Sequence, residues 1–291
     1  MNNTLLYLGA VLIWGSTWLA ITFQLGQVAP EVSVAWRFWL AAALMSVWAL
    51  AKKQSLKFHW KDHLFIAAQG ACLFSTNFVL FYSAEQYVTS GLVAVVCSSM
   101  VFMNMLGTRV YFKTPISREV LVGAALGSLG IALVFWPELA HFEGSQQSLL
   151  GLALSLVATF SASSGNMLSA RNSRAGLPLI AVTATAMAYG AGFVTLYALA
   201  RGSTFTFEAT PQYLGSLLYL ALFGSVGAFG CYLTLIARVG ADRAGYVNVV
   251  VPIVALLLST FFEAFEWKLA TVLGIALSLA GNVLVLSKKK V

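Results

Sequence analysis

Long apolar stretches alternate with short polar ones along the entire chain. Runs of roughly span length, free of charge but for Arg37, cover Thr4–Phe23, Val32–Ala51, Leu64–Ala84, Gln86–Thr108, Val120–Pro137, Leu149–Ala170, Ala175–Ala200, Gln212–Ala237, Ala244–Phe262 and Leu269–Ser287. A bilayer core of about 30 Å takes about 20 helical residues. The pattern therefore predicts an all-α integral membrane protein with ten transmembrane helices. The longest polar gaps, "KKQSLKFHWKDH" and "RGSTFTFEATP", are only loop-sized, so the working parts are expected within the membrane. The first run follows "MNN", with no basic front and no small-residue cleavage site, and reads as a retained helix.

Composition agrees: 59% of the residues are hydrophobic and 9% charged, against about 25% charged in a soluble domain. The charges are sorted by loop. Lys52, Lys53, Lys57 and Lys61 follow the second run, Arg109, Lys113 and Arg118 the fourth, Arg171 and Arg174 the sixth, Arg238 and Arg243 the eighth, and Lys288 to Lys290 the tenth. The other loops carry Arg201 and Lys268 against Glu31, Glu85, Glu138, Glu143, Glu208, Glu263 and Glu266. Basic loops stay cytoplasmic, so both termini are expected there. The net charge of +7 then forms a collar facing anionic lipid headgroups, and no nucleic-acid partner is implied. Cys72, Cys97 and Cys231 fall in separate runs without CxxC spacing and read as packing residues. His59 and His63 have only Asp62 nearby, too little for a metal site. No cofactor is expected, and no phosphate-binding loop is present for driving transport by nucleotide hydrolysis.

An internal repeat organises the runs. "GAALGSLGIALVF" from Gly123 aligns without gaps to "GIALSLAGNVLVL" from Gly274, matching Gly123 to Gly274 and Gly130 to Gly281. Extending upstream sets Val101 against Pro252, and a one-residue shift sets Tyr82 against Tyr232. The chain divides into five-helix halves, 1–140 and 146–291. Five is odd, so the second half enters the membrane from the opposite side and the repeat is inverted, the arrangement that gives transporters a midplane site between halves. Gly123 and Gly127 suit close helix packing. The glycine-lined fifth and tenth helices could pair two protomers as a homodimer, or pack within one chain.

With "IWGSTWLAI" in the first run, "APEVSVAWRFWLAAAL" leading into the second and "VVVPIVALLLSTFFEAFEWKLATVLGIALSLAGNVLVL" at the end, the chain resembles the drug/metabolite transporter superfamily in its EamA-type branch. The resemblance implies helices of both halves around a central cavity and movement of small metabolites, often outward.

Polar and aromatic residues within the runs are the candidates for substrate contact. Trp14, Thr17, Trp18 and Ile21 recur at helical spacing, as do Phe74, Asn77 and Phe81, with Tyr82 adjacent. Asn166, Tyr189, Tyr246 and Asn248 add amides and phenols, and Pro252 could kink the ninth helix beside Asn248. Arg37, the one charge inside any run, lies roughly 8 Å from the outer end at 1.5 Å per residue. It can snorkel to the headgroups, or face the cavity, where its fork suits a carboxylate. The substrate-binding set expected is Trp14, Arg37, Asn77, Tyr82, Asn166, Tyr246 and Asn248. These imply a secondary transporter, facilitator or exchanger, for small amphipathic metabolites such as amino acids, working outward by alternating access. Proton-coupled drug efflux is the alternative, disfavoured because no Asp, Glu or His lies within a run to relay protons. An intramembrane enzyme would need an acid, base or metal cluster at depth. A structural subunit leaves the amides and phenols without a purpose.

Overall fold

The computed structural model describes residues 2–24, 28–84, 86–88, 90–140, 144–262 and 267–286. Every regular element among them is helical. The main helices are α1 (Asn3–Thr22), α2 (Pro30–Ala51), α3 (Trp60–Ala84), α4 (Ser90–Ser98, resuming after Ser99 as Met100–Phe112), α5 (Arg118–Val134), α6 (Gln146–Arg174), α7 (Leu179–Ala200), α8 (Pro211–Val239), α9 (Val247–Phe262) and α10 (Leu269–Leu286). Short helical turns cover Trp136–Ala140 and Ala241–Ala244. Among the described residues, eight helices are long and apolar enough to cross a bilayer by length and composition, and Leu269–Val285 is a shorter apolar helix.

Several helices outrun the charge-free stretches that predict them. α3 begins at Trp60 and includes Lys61 and Asp62, α4 continues through Arg109 to Phe112, and α6 continues through Arg171 to Arg174. Charge avoids the hydrocarbon, but a helix continues beyond it until its backbone is capped. Ser117 caps α5, accepting from Val120 N at 3.3 Å, and Ser145 caps α6, accepting from Ser148 N at 3.1 Å. α5 stops at Val134, short of the Pro137 limit the apolar run suggests.

Contacts between helix ends define two ends of the molecule. At one, Arg171 of α6 meets Asp62 of α3 at 3.1 Å, Arg238 of α8 donates to Asn3 of α1 at 3.3 Å, and Gln54 beyond α2 accepts from Ala181 N of α7 at 3.2 Å. At the other, Ser203 beyond α7 donates to Glu31 of α2 at 2.6 Å, and Ser33 of α2 meets Tyr213 of α8 at 3.0 Å. The first is the basic end.

The principal packing pairs are α1 with α8 and α9, α6 with α3 and α4, α2 with α7 and α8, α7 with α3, and α5 with α10. Exchanging each helix for the one five places along the chain maps this set onto itself. Local geometry follows the same exchange. Both α3 and α8 are interrupted by π-helical turns, at Cys72–Thr76 and Leu220–Gly227. Bonding from i to i+5 breaks the regular carbonyl ladder, and a side chain from the neighbouring helix supplies a donor in each case. Ser161 of α6 donates to Cys72 O at 3.2 Å, and Trp14 Nε1 of α1 donates to Gly224 O at 3.0 Å.

The glycine faces of α5 and α10 meet within one chain. A Cβ on Gly123 would lie 2.7 Å from Gly281 O, and one on Gly274 would lie 2.5 Å from Gly130 O. Backbones this close need glycine on both sides, so these faces are covered by each other and are not free to pair protomers.

Candidate functional site

A cavity of about 390 Å³ opens among α1, α2, α3, α4, α6, α8 and α9, within the usual range for small-molecule sites of roughly 300–1,000 Å³. Its wall includes Trp14, Arg37, Asn77, Tyr82, Asn166 and Asn248, six of the seven residues predicted from sequence. Apolar and aromatic groups surround them, among them Phe78, Phe81, Met100, Phe229 and Val251.

Arg37 faces the cavity and does not snorkel; only 4% of it is exposed. Its Nε donates to Ser225 Oγ in the π turn of α8 at 2.9 Å, and its guanidinium carbon lies 5.3 Å from the Phe78 ring centroid and 5.4 Å from that of Phe38. A Cβ on Gly224 would sit 3.3 Å from Nη2 and 2.9 Å from Thr17, so the bare glycine makes room for the fork. Among the described residues the one ion pair is Arg171 with Asp62; Arg37 has no carboxylate partner there. Desolvating a lone cation costs several kcal/mol, and one neutral hydroxyl with two ring faces offsets only part of it. The site has a standing attraction for an anion.

Trp14 forms wall and scaffold. Its indole N–H is held by Gly224 O, and its ring lies 4.9 Å from Phe229 and 5.0 Å from Tyr232, centroid to centroid. Tyr232 is the hub of a polar cluster. Its hydroxyl accepts from Asn166 Nδ2 at 3.0 Å and from Asn248 Nδ2 at 3.4 Å. Asn166 Nδ2 also donates to Asn104 Oδ1 at 3.3 Å, and Asn104 Nδ2 donates to Ala241 O at 3.1 Å.

This chain of contacts sets the amide orientations. A backbone carbonyl only accepts, so Asn104 must turn its NH₂ to Ala241 and its oxygen to Asn166. Asn166 must then turn its NH₂ toward Asn104 and Tyr232. Its oxygen is left over, buried and without a donor, as is the oxygen of Asn77. Beside the cavity, one cation is thus accompanied by two buried acceptor oxygens that lack partners in this conformation.

Tyr246 stands apart from this wall. It is fully buried, its hydroxyl donates to Val120 O at 2.6 Å, and its carbonyl accepts from Tyr7 OH at 3.1 Å and Asn282 Nδ2 at 3.2 Å. It ties the start of α9 to α1, α5 and α10. Tyr189 is also off the wall, paired with His63 Nδ1 at 3.1 Å. The predicted Phe74–Asn77–Phe81 face is broken by the π turn. Asn77 and Phe81 line the cavity, while Phe74 packs on Phe38 and Phe229 at centroid distances of 5.4 and 4.9 Å. The side chain of Trp18 lies outside the described residues. Tyr232 is the hub that sequence reasoning left out of the site, although its repeat match to Tyr82 was the available signal.

The sequence profile of the EamA-like transporter family matches residues 2–136 and again 149–287. The chain belongs to the EamA-like transporter family. It is therefore an integral, multi-pass membrane transport protein with a small-molecule substrate and a lipid surround. It is 30% identical over 257 residues to the uncharacterized inner membrane transporter YedA of Escherichia coli K12, covering 86% of this chain and 79% of that protein. An uncharacterized transporter of Archaeoglobus fulgidus is 25% identical and covers 96% of both chains. A protein of E. coli K12 described as a probable amino-acid metabolite efflux pump is 22% identical, covering 88% of this chain and 85% of its own. A solved crystal structure superposes with a TM-score of 0.80 over 97% of this chain and 95% of that one, at 18% identity, a likeness of fold.

Proposed function

We propose that this EamA-like transporter is a secondary facilitator or exchanger that moves small amphipathic metabolites bearing a carboxylate, amino acids or close relatives, outward by alternating access. Arg37 carries the reading. A buried guanidinium in a cavity wall, with no carboxylate partner among the described residues, suits a substrate that brings its own anion and makes paired, charge-assisted hydrogen bonds to the fork. Asn77 and Asn166 suit hydrogen-bond donors on the same molecule, Trp14 and Phe78 its apolar part, and Tyr82 and Asn248 complete the contact set. The amino-acid metabolite named for one E. coli relative is of the same chemical kind. An acidic relay for proton-coupled cation export has no counterpart among the described wall residues, and a cationic drug would meet Arg37 as a like charge.

The architecture that goes with this function is ten spans in two inverted five-helix repeats, 1–140 and 146–291, with both termini cytoplasmic. The exchange-symmetric helix pairs, the paired π turns and the double match to one family profile support it. The two halves would rock about the cavity, exposing it to each side in turn.

Counterflow in proteoliposomes preloaded with neutral, aromatic and acidic amino acids tests the reading. The wild type is expected to exchange at least one pool. Arg37→Ala should lower exchange by about a hundredfold, the scale of losing a charge-assisted pair worth ~1.5–3 kcal/mol, with Arg37→Lys in between. Normal exchange by a folded Arg37→Ala protein would remove the carboxylate from the proposal.

A further inference from the structure

Resting on the transport reading, a second feature concerns the closed side of the cavity. Ala162 and Asn166 of α6 line the cavity wall. Ser169 and Ser173 follow Ala162 by seven and eleven residues, and with Asn166 all four lie within an arc of about 60° on the helix. Neighbouring contacts fix where this row points. Gly165 packs on Leu73, and Asn172 Nδ2 donates to Gln69 Oε1 at 2.9 Å, which marks the flank toward α3. Met167 accepts from Thr108 Oγ1 at 3.8 Å, and Arg174 stacks on Phe112 at 3.8 Å, which marks the flank toward α4. The row therefore faces between them, toward the second half of α8 and the Ala241–Ala244 turn, both packed on α6.

After Ala162 the row is polar, and its side-chain oxygens have no partners. Asn166 and Ser169 are each 1% exposed, and the oxygens of Asn166, Ser169 and Ser173 are buried with no hydrogen-bond partner. Earlier on the same helix, Ser155 and Thr159 return their hydroxyls to carbonyls four residues back at 2.9 and 2.8 Å. That local bond is open to any helical serine, so unpartnered hydroxyls farther along need another account. Three adjacent orphaned oxygens run in a line from the cavity toward the basic end. They are accounted for if the line is wet in another conformation.

We infer that Asn166, Ser169 and Ser173 line the second half of the substrate path, a polar channel between α6 and α8 that is shut here and opens at the basic end. The contacts that shut it are Asn104 to Ala241 O and Asn166 to Tyr232. They join α4 and α6 to α8 and the entry to α9. Their parting would free Asn166 to pass a substrate's donor groups from the cavity to the two serines.

Single cysteines test this in a protein whose own Cys72, Cys97 and Cys231 are changed to alanine and which keeps its counterflow. Ser169→Cys, Ser173→Cys and the control Ser155→Cys are each treated with a membrane-impermeant thiosulfonate ammonium reagent from either face. The expected result is reaction at 169 and 173 from the basic face only, about tenfold faster than at 155, with counterflow lost as the adduct fills the path. Two results overturn the inference while leaving transport standing: no reaction at 169 or 173 in a protein that still exchanges solute, or reaction at both without any loss of exchange. A protein that exchanges no solute fails the transport reading instead, and inert thiols at 169 and 173 in that protein dispose of the channel as well.

Discussion

Two tyrosines near the cavity, Tyr232 and Tyr246, are almost equally buried, at 2% and 0% exposure, yet their hydroxyls have different duties. Tyr246 donates to one backbone carbonyl, Val120 O, and neither residue belongs to the cavity wall. Tyr246→Phe should therefore destabilise by about 1 kcal/mol, the net worth of one buried hydrogen bond, and leave the substrate concentration for half-maximal exchange unchanged. A detergent unfolding curve and a counterflow titration read the two effects separately. Tyr232 accepts from Asn166 and Asn248, so Tyr232→Phe leaves two wall amides short of a partner. Exchange should fall about tenfold, in keeping with ~1–2 kcal/mol of lost positioning. A Tyr232→Phe protein with wild-type exchange would strip the hub of its role. Residue type alone could not separate these tyrosines, because a phenol at depth needs a partner in either case. The partner decides, and it comes from another helix.

Helix pairing was legible where backbones touch, and illegible where helix geometry changes. The glycines of the fifth and tenth runs marked faces for close packing, because close approach can be met only by residues without side chains. They left open whether the partner was a second protomer or, as the structure has it, the other helix of the same chain. Gly130→Ala puts a methyl 2.5 Å from Gly274 O, a collision with backbone, and should cost about 1–3 kcal/mol as overpacking does. Gly192 of α7 has nothing within 4 Å of the place a Cβ would take. Gly192→Ala should instead stabilise, by up to about 1 kcal/mol of helix propensity. Opposite shifts of the detergent unfolding midpoint check the pair, and a shared sign would contradict this account of the seam. The π turns at Cys72–Thr76 and Leu220–Gly227 left no comparable trace. Apolar residues satisfy either hydrogen-bond register, so a uniformly hydrophobic run does not reveal which one it takes. The cost was a misplaced face: Phe74, three residues before Asn77, belongs to the core, although simple helical spacing puts both on one side.

For the whole molecule, loop charge and helix contacts agree on which ends lie together. Arg171 and Asp62, Arg238 and Asn3, and Arg174 and Phe112 meet at the end where the Lys- and Arg-rich loops of the sequence are gathered. Glu31, with Ser203, marks the opposite end. A membrane orients such a molecule with its basic loops inward, while the cavity wall reaches toward the opposite end through Ile21 near the close of α1 and Arg37 near the start of α2. The conformation described would then be open outward and shut inward, in keeping with the channel proposed along α6. The orientation has a direct test. A green fluorescent protein fused after Val291 should fluoresce, and an alkaline phosphatase there should be inactive. The same phosphatase inserted between Ser203 and Phe207, beyond α7, should be active. The reverse pattern would turn the molecule over. The channel along Ser169 and Ser173 would then lead outward, and thiol reagent would have to reach those positions from outside the cell.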